Sequence, residues 1–147
     1  MTRMRRLATP AAAAVLTGCM VFTPPPPAAG PGDSCQALNE SLAAAVPPGE
    51  SLDELQSRGV RLRTPLSFPP GTAPARSQSG GAAVRMLIDP NGTVVPGSPR
   101  TLKSVGEAHI ARAVESAALS MTFEFDAGAA LAAPIPLTTT FAACQRS

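Results

Sequence analysis

Hydrophobic and polar residues change their spacing several times along this 147-residue chain, and each change marks an element. Leu7 to Leu16 (LATPAAAAVL) is an apolar run without a period, and it follows the basic start Met1 to Arg6. From Cys35 the spacing is helical: Cys35, Leu38, Leu42 and Ala45-Val46 form one stripe. Asp33 or Ser34 caps that helix, and Pro47-Pro48-Gly49 ends it. Ser51 and Glu54 then stand at the spacing of a capping box, so a short helix starts there and ends at Gly59. Val60 and Leu62 alternate with Arg61 and Arg63, a short strand signal. Thr64 to Gly81 is rich in Pro, Gly, Ser and Ala, as expected of a loop wrapping the next unit.

After Gly81 the period is two. Val84, Met86 and Ile88 point one way and Arg85 and Asp89 the other. Pro90-Asn91-Gly92 is a tight turn, with Asn-Gly suited to a two-residue hairpin, and Thr93-Val94-Val95 begins the return strand. Pro96 and Pro99 keep that strand short or at an edge. From Glu107 to about Met121 the spacing is helical again, with Ile110, Val114, Ala117 and Met121 on one face. Phe123 and Phe125 anchor the exit from the helix, and Gly128 lies in the following turn. Ile135, Leu137, Thr139 and Phe141 then alternate with Pro136, Thr138 and Thr140 as a final strand. The order strand, strand, helix, strand predicts an α+β fold: a small antiparallel three-stranded sheet with one packed helix, preceded by one or two short helices.

The apolar run near the start has its own meaning. A basic start and an apolar segment of about ten residues are the pattern of a secretory signal. Leu16-Thr17-Gly18-Cys19 resembles the bacterial lipobox, in which a branched residue and two small ones precede the cysteine that takes the lipid. That resemblance implies cleavage before Cys19 and acylation of it; two or more acyl chains hold a membrane stably. Met20 stands where an aspartate would retain such a lipoprotein at the inner membrane, which implies an outer-membrane lipoprotein facing the periplasm. The alternative is an uncleaved anchor over Leu7 to Phe22, shorter than the roughly 20 apolar residues of a stable spanning helix. Pro24 to Pro27 and the residues around them form an extended tether reaching at most roughly 40 Å. The expected organisation is a signal peptide over 1–18, a tether over 19–33, a helical segment over 34–63, a loop over 64–80 and the sheet-and-helix domain over 81–145.

Composition narrows the function. Three of the 12 basic residues, Arg3, Arg5 and Arg6, belong to the leader; nine remain against ten acids. The mature chain is close to neutral, and there is no Trp or Tyr, so a nucleic-acid partner has neither electrostatic footing nor stacking platforms. His109 is the single histidine, without partners at ligand spacing, so no metal is expected. The serines near Ser77 and Ser79 have no histidine partner in view, and no phosphate-cradling glycine pattern occurs. No catalytic residue and no cofactor are expected. Export makes a disulfide between Cys35 and Cys144 plausible, stapling the first helix to the end of the last strand; two reduced buried thiols are the alternative.

The segment from Phe68 to Ala143 resembles the carboxy-terminal domain of the TonB family. The resemblance is carried by Phe68-Pro69, Gly81, the alternating strand ending in Asp89-x-x-Gly92, and Ser104 before the helix. It continues through Ile110, Val114, Ala117 and Met121 on the helix, Phe123-Glu124, and the terminal strand ending in Phe141. Phe125 stands where the family usually has proline, and Ala111 where it often has an acid. The resemblance implies recognition of an extended peptide, such as the TonB box of an outer-membrane transporter or a segment of another envelope protein, by strand addition. The corresponding edge is Leu137, Thr138, Thr139, Thr140, Phe141, Ala142 and Ala143, with Pro134 and Pro136 removing donors just before it. Three alternatives stay open: the amino-terminal helix covers that edge, the chain is an inner-membrane energy transducer, or it is a purely structural scaffold.

Overall fold

A computed structural model describes residues 31–75, 79–127, 129 and 134–144. The elements are α1 (Pro31–Ala43), α2 (Leu52–Ser57), β1 (Val60–Thr64), β2 (Gly80–Ile88), β3 (Arg100–Val105), α3 (Ala108–Ala118), β4 (Thr122–Phe125) and β5 (Ile135–Ala143). The fold is α+β. A three-stranded antiparallel sheet has the order β3-β2-β5, so the first strand of the domain is central and the last lies at an edge. The leader, Cys19 and most of the tether lie outside the described residues.

The alternation in β2 decides what packs where. Ala82, Val84, Met86 and Ile88 are buried on one face, against Ile110, Val114 and Ala118 of α3 and against Leu137 of β5. α3 has the expected face, and Met121 and Phe123 continue the core just beyond it. The other face holds Gly81, Ala83 and Arg85, and α1 lies across it. A Cβ on Gly81 would sit 2.7 Å from Leu42 Cδ1 and 2.3 Å from the Phe141 carbonyl oxygen. Glycine is therefore required by close approach: α1 reaches the sheet only where no side chain intervenes. The Lys103 ammonium donates to the Ser41 carbonyl (3.2 Å), fixing the same helix over β3.

A two-stranded ribbon, β1 with β4, completes the fold, with Val60 opposite Phe125 and Leu62 opposite Phe123. Its exposed faces are tied by Arg61 to Asp126 (2.8 Å) and Arg63 to Glu124 (3.4 Å). β4 also touches the hairpin end, where Phe123 N–H donates to the Gly92 carbonyl (2.8 Å). The loop after β1 wraps the domain: Ser67 N–H donates to Ser120 Oγ (2.9 Å), and the Phe68 ring packs edge-on to Phe141 at 4.9 Å.

Three local expectations differ from the structure. The return strand is Arg100–Val105, while Thr93 and Val94 make only isolated bridges. Val95 to Ser98 makes a turn that bulges out of the ladder without reversing the chain, and continuous antiparallel pairing resumes at Arg100, past the prolines. Asn91 does not take a positive φ; Gly92 does (84°). Pro90 holds its own φ near −65°, which suits the first central position of a type I turn and leaves the left-handed step to Gly92. The Asp89 carboxylate braces that turn by accepting from Asn91 N–H (2.8 Å), Thr93 N–H (3.1 Å) and the Thr93 hydroxyl (2.6 Å). Finally, α1 starts at Pro31 rather than at an Asp33 or Ser34 cap; proline is well suited to a first helical turn.

Candidate functional site

β5 pairs with β2 along its full length, from Ile135 opposite Ile88 to Ala143 opposite Gly80. In an antiparallel ladder alternate residues turn their N–H and C=O toward the partner, and the others turn them away. Bonds to other segments set the phase. Thr138 N–H donates to the Glu50 carbonyl (2.8 Å), so Thr138 faces outward. Across the sheet, Leu87 donates to Ser98 Oγ (3.1 Å) and accepts from Val95 N–H (2.9 Å), so Leu87 faces away from β5 and from Pro136 opposite it. Both bonds assign the same set: Pro136, Thr138, Thr140 and Ala142 point outward, and Leu137, Thr139, Phe141 and Ala143 bond to β2. Pro136 thus occupies an outward position, where its missing N–H removes nothing from the sheet.

The outward positions are not equivalent. Thr138 is closed off by the turn between α1 and α2. Besides the bond from its N–H, its hydroxyl donates to Glu50 Oε2 (3.0 Å). Glu50 is held in turn by Arg85, whose Nε and Nη2 each donate at 2.8 Å to the carboxylate. The Arg85 hydrogen bonds outweigh burial and hold the Glu50 carboxyl below its ordinary range, with the Thr138 hydroxyl adding to the effect. At Thr140 and Ala142, by contrast, no hydrogen bond from another described segment reaches the outward N–H. α1 packs against β2 and β5, and along this part of the edge Thr140 is exposed while Ala142 is half-buried.

A groove of about 390 Å³ runs beside the edge. Its floor is Thr138, Thr139 and Thr140. Ala43, the last residue of α1, and Val46 just beyond it line one part; Ser51, Leu52 and Asp53, at the start of α2, line another. The capping box builds that second part. Ser51 Oγ accepts from Glu54 N–H (3.2 Å), and Glu54 Oε2 accepts from Ser51 N–H (3.2 Å) and Gly49 N–H (3.0 Å). The Ser51 hydroxyl also donates to Glu54 Oε2 (2.7 Å), and this bond, followed by the Ser51 and Gly49 N–H donors, lowers the Glu54 pKa.

Cys35 and Cys144 form a disulfide with Cα atoms 5.7 Å apart, tying α1 to the residue after β5. The reading of two reduced thiols is thereby replaced. Cys19 lies outside the described residues, as does Ser77. His109 Nδ1 is 3.0 Å from Glu107 on the solvent side of α3. Among the described residues no group of three His, Cys, Asp or Glu could hold a metal, and no helix is long and apolar enough to cross a membrane. Glu50 and Arg85 were not legible as site residues. The partners of Glu50, namely Arg85 and Thr138, lie 35 and 88 positions away, and the only local hint is an acid placed between a Pro-Pro-Gly stop and a capping box.

No family model matches the chain. No curated protein matches it either. Among solved structures, the chain is similar to the solution NMR structure of the Pseudomonas aeruginosa TonB C-terminal domain. The identity is 23% and the TM-score 0.48, over 66% of this chain and 94% of that one.

Proposed function

We propose that this protein is a non-catalytic, lipid-anchored envelope protein whose sheet-and-helix domain binds extended peptides by adding a strand to β5. The observation that carries the reading is the pair of outward backbone positions at Thr140 and Ala142, unpaired among the described residues, with a groove beside Thr140. Exposed strand edges pair readily with another extended chain. A docked segment would exchange backbone bonds with Thr140 and Ala142, within the edge Leu137–Ala143. The motif order from Phe68 to Phe141 supports a TonB-like role, with an outer-membrane transporter or another envelope protein as the source of the peptide. The lipobox at Leu16 to Cys19 supports acylation of Cys19 and an outer-membrane location facing the periplasm.

Two experiments test the two halves. Titration of labelled protein with TonB-box-like peptides should shift the Thr140 and Ala142 amides first, and Ala142→Pro should abolish binding without unfolding the domain. No shift at millimolar peptide, with the domain folded, contradicts strand addition. Metabolic palmitate labelling should mark the wild-type chain and not a Cys19→Ser variant. A Cys19→Ser variant that still sediments with membranes contradicts the lipid anchor.

A further inference from the structure

Asp53 is the one charged residue among the described residues that line the groove beside the β5 edge, and we propose that the segment docking there is a short uncharged stretch flanked by a basic residue. This inference rests on the strand-addition reading above and specifies its partner. The helices on either side of the edge, PGDSCQALNESLA and LDELQS, contain acids and no lysine or arginine. β5 itself, IPLTTTFAA, contains no charge. Arg58, just beyond α2, is engaged by the Gly49 carbonyl (2.7 Å).

The acids differ in what they already do. Glu50 is bound by Arg85, and Glu54 by the capping box. Asp53 lines the groove, is exposed, and makes no hydrogen bond to another described residue. A strand laid along the edge at Thr140 runs beside the apolar groove residues Ala43, Val46 and Leu52, which suits small or branched apolar side chains. It cannot continue past Thr138, because the Glu50 carbonyl holds that position. The segment therefore leaves the edge beside Asp53. A lysine or arginine at that exit meets an unengaged carboxylate, and a glutamate there meets like charge. The pair is solvent-exposed, so it sets a preference of a few-fold rather than an absolute rule.

The test uses the mature protein in detergent micelles and three blocked heptapeptides. All share a Val-Thr-Ala-Val-Thr core and carry Lys, Gln or Glu at both ends, so that strand direction does not matter. Affinities are read from amide shifts at low ionic strength. The Lys peptide should bind about fivefold more tightly than the Gln peptide, and the Glu peptide more weakly than both. Asp53→Asn should cut the Lys preference to under about twofold, as should about 0.5 M salt. Equal affinities for the three peptides, with the Thr140 and Ala142 amides still shifting, overturn the charge preference and leave strand addition standing. A Lys preference that survives Asp53→Asn overturns the assignment to Asp53. No shift of those amides with any peptide overturns both readings.

Discussion

The two edges of the three-stranded sheet are closed by different means, and to different extents. At β3 the register shifts between Ala83 and Val84, and the Glu115 carboxylate of α3 accepts from both the Thr101 N–H and the Thr101 hydroxyl (2.6 Å each). A bulge and a side chain thus blunt that edge from within the domain. At β5 the ladder runs for nine residues without a shift, and the closure is a single backbone bond at Thr138, supplied by the turn before α2. The contrast teaches that a regular edge strand needs an external cap at every second residue to be silent. Among the described residues, β5 has that cap at one outward position and lacks it at the next two.

The largest expected effect comes from the covalent tie, which β5 has and β3 lacks. Cys35→Ser, or reduction, opens a loop closed over a separation of 109 residues and should lower the unfolding free energy by about 2–5 kcal/mol in urea titrations. Amides at the end of β5 should lose protection, and those of β3 should keep theirs. Next in size is a pair of proline substitutions in adjacent positions. Thr139→Pro removes an N–H that bonds to β2 and should cost about 2–3 kcal/mol. Thr140→Pro removes an outward N–H and should cost less than about 1 kcal/mol, as native Pro136 shows to be tolerable. Similar costs at the two positions would mean that the phase of the ladder is wrong.

Loosening the cap should cost no more than Thr139→Pro. Glu50→Gln breaks a half-buried charge-assisted pair with Arg85 and should cost about 1–3 kcal/mol, read from thermal or urea unfolding. Thr138 amide exchange should quicken, while Thr101 is untouched. The matching acid response has a definite sign. The Glu50 pKa in the folded protein lies below its ordinary value of 4.5, so its contribution is complete above pH 4.5 and fades as pH falls through the folded value. Stability measured along that descent should fall in wild type and fall less in Glu50→Gln.

Local periodicity made much of this legible. β2, α3 and β5 are written in spacings of two and of three to four, and the capping box at Ser51 and Glu54 stands where its spacing places it. The Cys35–Cys144 link is one of two readings open in the sequence, a disulfide or two reduced thiols, and the structure has the disulfide. What escaped depends on partners distant in sequence. β3, RTLKSV, is hidden because its bulge breaks the alternation and because Thr93 to Val95 offers a more obvious return. The β1–β4 ribbon joins residues about sixty positions apart, and TFEF reads on its own only as an aromatic anchor. The phase of β5 could not be read at all before Glu50 was seen to bond Thr138. Alternation assigns side chains to faces, but it is silent on which backbone groups face a neighbour.

Native-state amide exchange along Leu137 to Ala143 tests that phase most directly. Leu137, Thr139 and Phe141 should exchange slowly because they bond to β2, and Thr138 should join them because Glu50 accepts its proton. Thr140 and Ala142 should exchange markedly faster than their neighbours on both sides. Protection at Thr140 and Ala142 equal to that of Thr139 and Phe141 would contradict an open edge, and with it the proposed docking of a peptide strand.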